Sequence, residues 1–83
     1  MHQELITFTE NLIRPLVKEP DMISVQEFGG DDEDILLEII VHESDMGTVI
    51  GRAGKMANAL RTMVQAYAYM HKLKRVKINI DSF

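Results

Sequence analysis

The chain is 83 residues long, 46% hydrophobic and 27% charged, with a formal net charge of −4 and no cysteine. This size and composition predict one globular domain spanning residues 1–83, and they exclude a disulfide framework, a thiolate metal site and a wholly disordered chain. Because no apolar run approaches the length of a membrane span and the N-terminus is acidic rather than basic, we expect neither a membrane segment nor a signal peptide, and hence a cytoplasmic protein.

The first predicted element is a helix over residues 3–18. Its apolar residues recur at helical spacing and so form one face. Pro15 lacks an N–H group and clashes with the preceding turn, which predicts a kink or a break there. Residues 19–21, Glu-Pro-Asp, predict a stop and a turn.

Two strands are predicted next, over residues 22–28 and 35–42. The second is nearly all apolar, which is usual for a central strand. Residues 29–34 between them contain two glycines and four acids. We interpret them as a solvated hairpin turn, because their spacing does not match a calcium loop, and divalent-cation binding is the minor alternative. His42 is expected to have a structural role at the strand end. The residues expected to face the helices are Ile35, Leu37, Ile39 and Val41, and those expected on the other face are Leu36, Glu38, Ile40 and His42.

A short helix, a glycine turn and a long helix are predicted after these strands. Ser44 is a good N-cap for a short helix over residues 45–50, where Asp45 suits the helix dipole. Gly51 is expected to end that helix, since glycine readily adopts a positive φ past a helix C-terminus. The next helix runs to about His71. Its predicted core face comprises Met56, Leu60, Met63, Tyr67 and Met70, with Ala57, Val64 and Ala68 beside them.

The last predicted element is a half-buried strand over residues 75–81, in which apolar and polar residues alternate. The order α-β-β-α-α-β predicts an α+β fold with a three-stranded mixed sheet and the helices on one face. The first two strands are expected to form an antiparallel hairpin. A right-handed crossover would place the last strand parallel to the central one.

The charges are unevenly distributed along the chain. Residues 1–50 contain two basic and twelve acidic residues, whereas residues 51–83 contain seven basic residues and one acid, Asp81. This distribution predicts one basic face on an otherwise acidic body, and phosphate responds to such a local field rather than to the total charge. The alternative is that the basic residues of 72–77 belong to a solvated loop and strand edge.

The most informative motif is Gly51-Arg52-Ala53-Gly54, followed by Lys55. A glycine turn between two helices lets a ligand backbone approach closely, and the N–H groups that begin the next helix attract phosphate. Arg52 and Lys55 are cations where a helix N-terminus favours anions, so they suit a bound phosphate better than they suit the helix. The alternative is a tight turn that merely requires glycine.

The stretch Val49–Leu60, VIGRAGKMANAL, resembles the signature of KH domains, and the element order is similar to that of a type II KH domain. The chain length and residues 45–51 resemble the KhpA family of small bacterial single-KH proteins. The resemblance implies a non-catalytic protein that binds single-stranded RNA and acts as a post-transcriptional regulator or RNA chaperone. It also implies self-association and a larger KH partner of the KhpB or Jag family.

The resemblance also assigns roles to residues of this chain. The loop would clamp the backbone of about four nucleotides, and an apolar groove beside it would lie under the bases. Met56 and its neighbouring alanines make the groove wall soft, so we expect a weak base preference. The expected RNA-binding residues are Gly51, Arg52, Ala53, Gly54 and Lys55 for the backbone, and Val49 and Ile50 for the groove.

Three other classes of function can be compared with the sequence. A phosphate-binding P-loop needs glycine at position 49 and Ser or Thr at position 56, where Val49 and Met56 stand. Since no catalytic triad or metal-ligand spacing is present either, we expect no enzyme, cofactor, metal or small-molecule substrate. A helix-turn-helix DNA reader would leave the glycine tip unused. A protein-interaction module stays open, because an apolar patch on the open sheet face or on the long helix could form a homodimer.

Overall fold

The elements of the structure, a computed structural model that describes residues 2–29 and 34–83, follow the predicted order α-β-β-α-α-β. The longest of these helices has 16 residues, and in the described ranges none is long and apolar enough to cross a membrane. Most of the predicted acidic turn, residues 30–33, lies outside the described residues. The elements are α1 (Gln3–Ile13), β1 (Ser24–Gly29), β2 (Ile35–Val41), α2 (Met46–Ile50), α3 (Lys55–Met70) and β3 (Val76–Ser82).

The three strands form one mixed sheet in the order β1-β2-β3. β1 pairs antiparallel with β2, with Val25 opposite Ile39, and β3 pairs parallel with β2, with Ile78 beside Leu37. The predicted hairpin, the central position of the apolar strand and the parallel last strand are therefore confirmed.

The core lies between the sheet and the helices. The four β2 residues predicted to face the helices have no exposed surface, whereas the alternate residues of β2 are exposed or half-buried. The buried side chains of all three helices join this cluster, through residues such as Leu5, Val49 and Val64. The helices therefore cover one face of the sheet, as predicted, and the other face is open.

The first helix breaks where Pro15 predicts a break. α1 ends at Ile13, and a 3-10 turn over Arg14–Leu16 follows it. A second 3-10 turn, Pro20–Met22, leads into β1. Proline fits the first turn of each of these short elements because its missing N–H is not needed there.

The start of α2 differs from the prediction that Ser44 caps a helix beginning at Asp45. Glu43–Asp45 instead form a 3-10 turn, and the Ser44 N–H donates to Nδ1 of His42 over 3.1 Å. The structural role expected of His42 is thus confirmed. Asp45 lies at the N-cap of α2, next to the positive end of the helix dipole, and its buried carboxylate accepts the backbone N–H groups of Lys18 (2.9 Å) and Glu19 (3.1 Å).

The buried face of α3 also differs from the predicted one. Met63 and Met70 were predicted in the core, but they are 49% and 81% exposed. The buried face is rotated toward the smaller residues, because alanine lets the helix approach the sheet closely. The residues fully within this face are Ala57, Leu60, Val64 and Ala68.

Candidate functional site

Gly51 is the most constrained residue of the glycine loop. Its backbone has φ 78° and ψ 171°, a conformation that is essentially restricted to glycine. A Cβ at this position would lie 2.6 Å from Cβ of Met56 and 2.7 Å from its backbone nitrogen. The end of α2 therefore packs against the first turn of α3 so closely that only a residue without a side chain fits.

Ala53 and Gly54 both adopt left-handed backbone conformations, with φ of 55° and 75°. The Gly54 N–H donates to the Gly51 carbonyl over 3.2 Å and closes the turn. A Cβ on Gly54 would meet no atom of residues 2–29 or 34–83 within 4 Å, so the surface at this glycine is open toward them. Among the residues that the structure describes, no side chain caps the N-terminus of α3. The loop thus leaves the backbone at Gly54 uncovered at the start of a 16-residue helix.

Two cations flank this exposed backbone. Arg52 and Lys55 are both exposed, as expected from their places at the loop tip and in the first turn of α3. Within residues 2–29 and 34–83, neither forms an ion pair with a carboxylate. Their charge is therefore available to an anion that approaches the loop.

Val49 and Ile50 lie at different depths. Val49 has no exposed surface and belongs to the core, whereas Ile50 is half-buried at the end of α2. Of these two, only Ile50 offers apolar surface next to the loop. Val49 packs α2 against the core and has no exposed surface with which to contact a ligand directly.

The basic residues of the second half are spread along α3 and beyond it. Arg52 and Lys55 lie at the N-terminal end of α3, Arg61 is exposed within the helix, and a second group, the basic residues of 72–77, lies beyond its C-terminal end. The 16-residue helix separates Arg52 and Lys55 from this second group by about 24 Å. In the second group, Lys77 lies 3.7 Å from Asp34 in an exposed pair. A ligand that contacted both groups would have to span the length of α3.

Sequence reasoning did not find an aromatic column at the C-terminal end of α3. Phe8 of α1 stacks on Tyr67 with ring centroids 4.3 Å apart, and Tyr67 stacks on His71 with centroids 4.1 Å apart. The four-residue spacing of Tyr67 and His71 indicates that they share a helix face. The contribution of Phe8 depends on the packing of α1 against α3, which local spacing does not reveal.

Comparison with known proteins matches nearly the whole chain to one family. Residues 6–80 match the family described as KhpA/KhpB, KH domain. The chain is 41% identical over 71 residues to the RNA-binding protein KhpA of Caldanaerobacter subterraneus subsp. tengcongensis, covering 86% of this chain and 92% of that protein. It is 40% identical over 78 residues to the protein of the same name from Bacillus subtilis, covering 94% of each.

One solved structure is similar to this chain in its fold only. The crystal structure of Era from Aquifex aeolicus superposes with a TM-score of 0.74 and 16% sequence identity. The match covers 96% of this chain but only 31% of the Era chain, so it says nothing of the activity of the whole Era protein. The curated relatives are named as binding proteins rather than enzymes, which confirms the non-catalytic prediction. The family match, the identities near 40% and the predicted topology agree, and the chain belongs to the KhpA/KhpB family of KH domains.

Proposed function

We propose that this protein binds single-stranded RNA without catalysis and that the loop Gly51–Gly54 holds the sugar-phosphate backbone. The observation that carries the proposal is a loop in which Gly51 has no room for a side chain, Ala53 is exposed and the space at Gly54 is open, just before a helix that no described side chain caps. Backbone N–H groups in such a place attract phosphate. The name RNA-binding protein KhpA, which the relatives carry, supports the same function.

In this proposal the side chains around the loop have separate roles. Arg52 and Lys55 add positive charge on either side of the phosphates, since both are exposed and neither is paired with a described carboxylate. Ile50 offers apolar surface to a base, and Val49 holds α2 in place from the core. Because the half-buried Met56 is flexible, we expect a weak base preference.

The small size of the contact sets the expected affinity. With two or three phosphates engaged, the logarithm of the affinity should fall with the logarithm of salt concentration with a slope of roughly −1.5 to −2. One domain of this size should bind with a Kd on the order of micromolar, about −8 kcal/mol. Greater affinity would then come from a second domain, through effective concentration.

The test compares native protein with the double variant Arg52→Asp, Ala53→Asp in binding a short unstructured RNA at low salt. Aspartate tolerates the left-handed backbone at position 53 better than most residues, so the fold should be kept, which circular dichroism checks. We expect the variant to lose binding, because two carboxylates replace a cation and an open surface at the loop. The matched control is Asn11→Asp, Arg14→Asp, which makes the same change in charge at two exposed positions at the end of α1.

Two results would contradict this function. If the loop variant and the native protein bind RNA equally, the loop is only a turn, and the basic residues of 72–77 become the contact. If neither binds even at high protein concentration, the chain is a protein-interaction module. The open sheet face would then be the first surface to examine, because Phe28 and Leu36 lie opposite each other there with 47% and 36% of their surface exposed.

We further propose that the protein self-associates and pairs with a KH protein of the KhpB or Jag type in the cytoplasm, where it would act as a post-transcriptional regulator or RNA chaperone. The description of the matched family covers both KhpA and KhpB, which supports this partner. An exposed apolar stripe on α3 supports self-association, since its spacing suits a pair of helices. The stripe consists of Ala59, Met63, Ala66 and Met70.

A further inference from the structure

We infer that the groove at the C-terminal end of α3 is a second contact for the same RNA strand, in which a base stacks on His71. This inference rests on the proposed RNA binding and extends it beyond the glycine loop. The groove has a volume of about 340 Å³ and lies between the start of α1 and the end of α3. Its lining residues are His2, Gln3, Glu4, Leu5, Tyr67, His71 and Leu73.

The stacking surface is already ordered by the protein. Phe8, Tyr67 and His71 form a column of nearly parallel rings, with interplanar angles of 21° and 25°. His71 ends the column on the solvent side, and no other ring in the described ranges stacks on its outer face. A base that stacked there would continue the column, and single-strand binding proteins use exposed rings in this way for any base.

The charges around the groove suit a nucleotide. Lys74 and Arg75 are exposed in the connection from α3 to β3 and can attract a phosphate. Glu4, which lines the groove, can accept a hydrogen bond from an exocyclic amino group, as acidic residues do from cytosine. Cations are favourable at a helix C-terminus, which accounts for the basic residues here. It does not account for an exposed imidazole that is stacked on Tyr67 and lines the groove.

The distance between His71 and the glycine loop determines how long an RNA strand must be to contact both. The glycine loop and His71 lie at opposite ends of α3, about 24 Å apart. The four or so nucleotides that a KH loop clamps lie beside that loop. Only a longer strand can therefore reach His71 while it stays bound at the loop.

The experiment measures the affinity of native protein and variants for oligoadenylates of about four nucleotides, the length a KH loop clamps, and about twelve, within the range of single-strand sites. His71→Ala should weaken binding of the twelve-nucleotide strand roughly tenfold, as loss of a stacked ring does elsewhere, and leave the four-nucleotide strand unchanged. His71→Phe should retain most of the affinity, because it keeps a ring. Tyr69→Ala is the matched control, since Tyr69 is an exposed aromatic residue on the same helix (77% exposed) that does not line the groove.

A second measurement reports on the site directly. The imidazole proton resonances of His71 in native protein should shift on addition of the long strand and not of the short one. The inference is overturned if His71→Ala binds both lengths as native protein does, if it weakens both equally, or if the resonances do not move. Failure of the proposed function would look different, because the loop variant Arg52→Asp, Ala53→Asp would then still bind the four-nucleotide strand.

Discussion

Glycine is favoured at the two positions of the loop for different physical reasons. Gly51 combines a positive φ with a contact against Met56 that leaves no room for Cβ, whereas Gly54 has a positive φ in open space. The sequence motif has glycine at both positions, but the structure predicts that Gly51 and Gly54 tolerate a side chain unequally. Both glycines lie between α2 and α3, but only Gly51 packs against the first turn of α3.

We therefore predict that Gly51→Ala destabilises the protein far more than Gly54→Ala does. Gly54→Ala should cost about 1–2 kcal/mol, the usual cost of a left-handed backbone for an L-residue. Gly51→Ala should cost about 3 kcal/mol or more, because a more restricted backbone conformation and a steric clash add together. Urea unfolding of the two variants gives the comparison. Equal losses would show that the first turn of α3 shifts away from Gly51 at little cost.

At the scale of the element, the sequence predicts those features that depend on local pattern. The alternation of β2 gives its buried face correctly, and Pro15 marks the end of α1 to within two residues. The cap at Ser44 was predicted wrongly because His42, two residues earlier, caps the turn, and its Nδ1 accepts the Ser44 N–H. The Asp45 carboxylate accepts the backbone N–H groups of Lys18 and Glu19, and contacts over 26 or 27 residues leave no trace in the local spacing.

The end of α3 illustrates the same limit. Lys72 adopts φ 58°, and the N–H of Leu73 donates to the Ala68 carbonyl over 2.9 Å, which is the pattern that usually has glycine at the residue with positive φ. With lysine there, the sequence carries no signal for this cap. The loop residues Gly51–Gly54 were located from sequence because glycine itself is the signal, whereas the depth of Val49 and the Phe8–Tyr67–His71 column depend on packing.

The first helix is tied to β1 by a buried carboxylate. Glu27, whose side chain is 3% exposed, accepts the His2 backbone N–H over 2.6 Å, and its other oxygen lies 2.7 Å from Nδ1 of His2. Burial alone would raise the pKa of Glu27, but the hydrogen bonds and the positive charge at His2 outweigh it, so this pKa is lowered. The ionised carboxylate therefore stabilises the folded protein. That stabilisation is complete above the ordinary pKa of glutamate, about 4.3, and is lost as the pH falls through the lowered value.

From this we predict that Glu27→Gln lowers the free energy of unfolding at neutral pH by about 1.5–3 kcal/mol, the range for hydrogen bonds to charged groups. The difference from native protein should shrink as the pH falls below about 4, since both proteins then carry a neutral side chain. Chemical unfolding across this pH range measures it. Glu43→Gln, at an exposed position in the turn before α2, is the control and should change little. A difference that stayed constant with pH would show that the carboxylate charge is not what ties α1 to β1.

At the scale of the whole molecule, the helices leave one long apolar surface uncovered. On α3, Met63 and Met70 are 49% and 81% exposed, and Ala59 and Ala66 continue the same stripe at spacings of three and four residues. Small residues and methionines at this spacing let two helices pack side by side. The stripe is separate from the glycine loop, so a dimer formed through it would leave both loops free for RNA.

We predict that the protein forms a weak dimer through this stripe. One helix of about 24 Å buries less area than a stable interface needs, so the Kd should be on the order of 10 µM or weaker. Met63→Lys should shift the protein to the monomer in sedimentation equilibrium, because it places a charge at the centre of the contact. Met22→Lys makes the same change at an exposed methionine before β1 and should leave the dimer intact. If Met63→Lys associates as native protein does while Met22→Lys does not, the contact is not on α3 but on the side of the molecule where Met22 lies.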